Sequence, residues 1–136
     1  MDQEIYFPGV AGAVAGVVGL LGVFADWWET PDTIYRGTAD VSGWLALAMG
    51  LGLFVFAGAS VLMSDPRIRR AMSASFALCA LVLAVASLWG MTRVDVVAAD
   101  AEMSGGIWVS LLAGALGLAA GVLAMRDVRV PERDTV

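Results

Sequence analysis

The sequence predicts an all-α integral membrane protein, a four-helix transmembrane bundle. Three observations carry that prediction: four long uncharged runs, a composition too apolar for a water-soluble domain, and arginines gathered on alternate loops. The chain has 136 residues, of which 60% are hydrophobic and 15% charged, with a mean hydropathy of +0.81. A soluble domain is closer to half apolar and a quarter charged, so a bilayer fits as the solvent. The length suits one domain over residues 1–136, and no stretch is left for a soluble one.

The uncharged runs cover residues 9–25, 43–63, 72–91 and 107–125. Each holds about 20 residues, enough to cross roughly 30 Å of hydrocarbon as a helix. The first run ends in Val23-Phe24-Ala25, small enough at its close to suggest a signal-peptide cleavage site. The residues before it include Asp2 and Glu4 and no Lys or Arg. A secretory leader opens on positive charge, so the run is read as a retained helix.

Arginine orients the spans. The segment between the second and third runs carries Arg67, Arg69 and Arg70, and the tail carries Arg126, Arg129 and Arg133. Only Arg36 and Arg93 fall on the opposite side. The positive-inside rule makes the arginine-rich side cytoplasmic, and an even number of spans then puts both termini there. The outer loops hold Asp26, Glu29, Asp32, Asp40, Asp95, Asp100 and Glu102, which read as a solvated face.

Trp27, Trp28, Trp44, Trp89 and Trp108 all stand at the outer ends of the runs. An indole there buries its ring and keeps its N–H wet, which makes this set an outer interface belt. At the inner side, Asp65-Pro66 has the form of a helix start, Asp as N-cap and Pro in the first turn. The third helix then begins before the hydrocarbon, and Arg67, Arg69 and Arg70 are expected to snorkel to inner head groups. The closing Asp134-Thr135-Val136 is too short a match to a peptide-domain ligand to count.

The two halves resemble each other. One span ends at Trp27-Trp28 and the next opens with Ser42-Gly43-Trp44, Gly50 following six residues on. In the second half a span ends at Trp89, and Ser104-Gly105-Gly106-Ile107-Trp108 opens the next, with Gly114 six residues on. The pattern predicts two helical hairpins repeated about an axis along the membrane normal. Small residues are spaced for close helix packing: Gly12 and Gly16 in the first span, and Gly114, Gly117 and Gly121 in the last. These stripes serve either one bundle or one bundle and a partner. In outline the chain resembles tetraspan proteins such as claudins. The first outer loop is too short for their sheet domain, and the loop cysteine pair and Gly-Leu-Trp motif are missing, so no family is assigned.

The chemical inventory is sparse. Lys, His and Asn are absent, so there is no Schiff-base amine and no imidazole base or ligand. A formal charge of −5 and an isoelectric point near 4.4 argue against nucleic acid. Cys79 is single and excludes an intramolecular disulfide. No ionisable residue lies within a span, which counts against proton-coupled transport and voltage sensing. Serines inside the spans, among them Ser60, Ser73, Ser75, Ser87 and Ser110, are expected to bond a carbonyl one turn earlier. The methionines read as packing residues, and the outer carboxylates follow no calcium-loop spacing. No catalytic, cofactor or metal residue is therefore expected.

These features point to a non-catalytic membrane protein acting by association. It would be an accessory or scaffold subunit of a membrane complex, or a homo-oligomer, with membrane lipids and other membrane subunits or itself as partners. The alternative reading is a small channel or facilitator whose pore forms between subunits.

Overall fold

The computed structural model describes residues 6–97 and 100–127. Four helices are long and apolar enough to span a membrane. They are α1 (Phe7–Phe24), α2 (Val41–Leu62), α3 (Pro66–Met91) and α5 (Gly105–Asp127), and each overlaps one run expected from sequence. Between them lie β1 (Asp26–Glu29), β2 (Ile34–Arg36), a 3-10 turn at Gly37–Ala39, a single helical turn α4 (Val94–Val97) and β3 (Glu102–Met103).

The helix boundaries follow from local chemistry. Asp40 caps α2 by accepting from the Ser42 backbone N–H, and Asp65 caps α3 by accepting from Arg67 N–H. Pro66 then occupies the first turn of α3, as the sequence predicts, where its missing N–H costs nothing. The Asp65-Pro66 start also makes α3 the longest helix, and its first turn is charged rather than apolar.

The long helices alternate in direction and stand at the corners of a square. Helices α1 and α3 each pack against both α2 and α5, while the two diagonals scarcely touch. Through the centre run alanines, leucines and one phenylalanine, with Ala46, Leu53, Ala57, Phe76, Ala80, Leu83 and Ala113 fully buried. Large apolar residues point outward instead, including Val14, Leu21, Leu51, Leu78 and Leu112. This distribution is inverted relative to a water-soluble bundle.

The loops at one end are not irregular, and here the all-α expectation is corrected. Three strands form a sheet in the order β2-β1-β3, both pairings antiparallel. Asp-Trp-Trp-Glu and Ile-Tyr-Arg are rich in residues that suit a pleated, half-buried surface. Thr30 makes the turn between them: its hydroxyl accepts from the N–H groups of Asp32 and Thr33, and its own N–H donates to Thr33 O at 2.8 Å. The register runs Asp26 with Arg36, Trp28 with Tyr35 and Glu29 with Ile34, and it slips between Asp26 and Trp28. Adjacent strand residues normally face opposite sides. The slip at Trp27 lets both tryptophans of β1 be buried.

Candidate functional site

Both ends of the bundle are closed by aromatic groups held on backbone carbonyls. At the sheet end Trp27 and Trp28 are wholly buried, their rings 5.3 Å apart at a steep angle. Trp27 Nε1 donates to Gly22 O at 2.9 Å in the last turn of α1, a carbonyl that also accepts the Ala25 N–H. Trp28 Nε1 donates to Gly90 O at 3.1 Å in the last turn of α3, a carbonyl that also accepts the Arg93 N–H. These two residues are therefore removed from the expected interface belt. They form a plug beneath the sheet, with dry N–H groups. Trp44, Trp89 and Trp108 are exposed by 56%, 39% and 54% at the same end.

The plug leaves little space around it. A methyl group in place of the Gly90 hydrogen would fall 2.7 Å from the Trp27 ring, and one on Gly37 would fall 2.8 Å from Val23 O. Beside the plug, Arg93 and Asp40 form a two-pronged ion pair, Nε to Oδ2 at 2.7 Å and Nη2 to Oδ1 at 2.9 Å. The same Asp40 carboxylate takes the Ser42 hydroxyl at 2.8 Å. Burial raises the carboxyl pKa, but the hydrogen bonds from Arg93 and Ser42 and the Arg93 charge outweigh it, so Asp40 sits below its ordinary value. Sequence alone placed Asp40 on a solvated face; the structure makes it the joint between the first hairpin and the end of α3.

At the opposite end Tyr6 is the keystone. Its hydroxyl lies 3.3 Å from Ser73 Oγ on α3 and donates to Ala124 O on α5 at 3.2 Å. The Arg69 guanidinium lies 4.4 Å from the Tyr6 ring centre, and Arg69 Nε donates to Ser60 O at 2.9 Å. Phenol and guanidinium together tie the ends of α1, α2, α3 and α5. Arg69 is thus half-buried against Tyr6 and Ser60, whereas Arg67 and Arg70 are exposed.

Between the two closures, the expected packing glycines all lie at helix crossings inside the bundle. A Cβ on Gly16 would approach the Phe54 backbone N to 2.7 Å, and one on Gly12 would meet the Phe76 ring at 2.8 Å. On α5, a Cβ on Gly114 would fall 2.7 Å from the Ala84 backbone, one on Gly117 2.9 Å from the Leu53 side chain and one on Gly121 2.5 Å from the Ala77 side chain. Neither stripe is left over for a partner. Gly58 is the helix-interior glycine with open space beside it.

The serines within the long helices divide. Ser60, Ser75 and Ser87 bond carbonyls three or four residues back in their own helices. Ser110 instead reaches Gly19 O on α1 at 3.4 Å, and Ser73 meets Tyr6. The halves also differ where the sequence pairs them: Trp27 and Trp28 lie buried on a strand, while Trp89 is part of α3 and exposed. Among the described residues no group of three His, Cys, Asp or Glu is placed to hold a metal ion. No family model matches the chain, and neither a curated protein nor a solved structure matches it.

Proposed function

We propose that the chain is a non-catalytic membrane protein of four spans that works by association, as an accessory or scaffold subunit or as an oligomer of itself. The reading places the sheet outside and both termini in the cytoplasm, with Arg67 and Arg70 beside the inner head groups. The observation that carries it is the filled interior: helices meet at glycine contacts, and each end is closed by hydrogen-bonded aromatic side chains. A substrate site or a conducting path needs polar or open space, and the glycine contacts and aromatic closures bring helices and rings together where such space would run. What the protein presents is surface, apolar along the helices and charged at the sheet.

Purified protein reconstituted in liposomes tests this reading. Ion and small-solute flux is expected to equal that of empty vesicles, while affinity capture from native membranes in mild detergent recovers a membrane protein or further copies of the chain. Selective flux above empty vesicles overturns the proposal in favour of a pore between subunits.

A further inference from the structure

We propose that the β2 flank of the sheet is an interface with a second copy of this chain, the two copies related by a two-fold axis beside β2. The inference rests on the association reading and names the partner.

Strand β2 is an edge of the sheet, so among the described residues one side of its backbone has no strand beside it. Such an edge is a ready template for another strand. Beside it lies an open concavity of about 480 Å³ lined by Asp26, Ile34, Tyr35, Arg36, Thr38 and Ala39. Ile34 is 58% exposed on this edge, a large aliphatic side chain presented to water in a charged loop. Asp26 and Arg36 are partners in the strand register, yet among the described contacts neither holds the other in an ion pair.

Charge selects the occupant. Arg93 is already taken by Asp40, which leaves Arg36 as the uncommitted guanidinium at the sheet end among the described residues. The opposite flank, around Glu29, Thr30, Pro31, Asp100 and Glu102, carries carboxylates and no base. Two copies of an acidic sheet repel wherever acid meets acid; of the two described flanks of the sheet, the β2 flank carries both signs and the opposite one carries acids. A two-fold axis there sets Arg36 of each copy against Asp26 of the other, so one complementary pair is made twice. It also brings Ile34 of each copy to the concavity of the other and keeps the acidic flanks apart. Both copies enter the membrane in the same orientation when that axis runs along the helices.

The test uses the full chain in mild detergent and in lipid nanodiscs, with mass measured by light scattering. Wild type is expected to be dimeric, with the dimer weakening as salt is raised. Arg36→Glu and Asp26→Arg are each expected to weaken the dimer at least about tenfold, because each replaces two attractive contacts by repulsive ones. The double variant Asp26→Arg/Arg36→Glu is expected to restore it. Thermal unfolding of each variant checks that the fold is kept. On a Cys79→Ser background, Ile34→Cys is expected to cross-link between copies. A wild-type dimer indifferent to both single reversals refutes this interface and leaves the association reading intact. A monomer that captures another protein through Arg36 overturns the second copy as occupant.

Discussion

The Arg93 guanidinium closes on the Asp40 carboxylate through two hydrogen bonds, across 53 positions of sequence and between the start of α2 and the end of α3. Asp40 is also the N-cap of α2, so one side chain performs two separable tasks. Asp40→Asn keeps a good capping group and loses the charge, while Asp40→Ala loses both. In mild detergent both variants should melt below wild type, with the alanine lower by a further amount of about 1 kcal/mol, the usual worth of an N-cap. Equal melting of the two would deny the cap any part in stability. The pH dependence has a definite sign. The Asp40 pKa is lower in the folded chain than its ordinary value of 3.8, so its contribution is fully present above that value and is lost as pH falls through the folded value. The stability difference between wild type and Asp40→Asn should therefore be constant from neutral pH to about 5 and shrink in stronger acid.

Gly16 and Gly58 offer a matched comparison, since both lie inside helices and only one is in contact. A methyl group on Gly16 falls 2.7 Å from the Phe54 backbone N, which cannot yield without moving α2. Gly16→Ala should destabilise by about 1–3 kcal/mol, the usual cost of overpacking. Gly58→Ala enters open space and should be neutral or stabilising by up to about 1 kcal/mol, because alanine favours the helix. Gly117→Leu should fail like Gly16→Ala, by collision with Leu53 and Ala80. Thermal unfolding of the three variants measures this directly, and a stable Gly16→Ala would show that α1 and α2 do not cross there.

These contacts mark how far the sequence could be read. The four runs, the Asp65-Pro66 start and the glycine spacing are local patterns, and each needs only the geometry of one helix to be recognised. Trp27 and Trp28 were misplaced because a tryptophan at the end of an apolar run fits an interface equally well. The signal that distinguishes them is the following Thr-Pro-Asp-Thr turn and Ile-Tyr-Arg, which together make a hairpin and pull both indoles under it. Asp40 with Arg93, and Tyr6 with Arg69, join residues 53 and 63 positions apart, and no spacing rule within one helix links them. The contact of Arg69 with Tyr6 shows the same limit. Three neighbouring arginines look alike as a charge run, yet only one projects toward Tyr6 and the free carbonyl of Ser60.

Topology is open to direct test. Thr33 lies exposed in the turn between β1 and β2, and Ser64 is exposed between α2 and α3, at the far end of the bundle. Cys79 is buried against α2, where it faces Gly52, and serine is a near match in size. On the Cys79→Ser background, Thr33→Cys should react with a membrane-impermeant maleimide in intact cells, and Ser64→Cys only after permeabilisation. Each position is exposed in the fold, so protection from the reagent reports the membrane and not burial within the protein. Arg67, Arg69 and Arg70 fix the expected direction, since basic loops are retained on the cytoplasmic side. Labelling of Ser64→Cys in intact cells with Thr33→Cys silent would invert the orientation; labelling of both would remove the bundle from the membrane altogether.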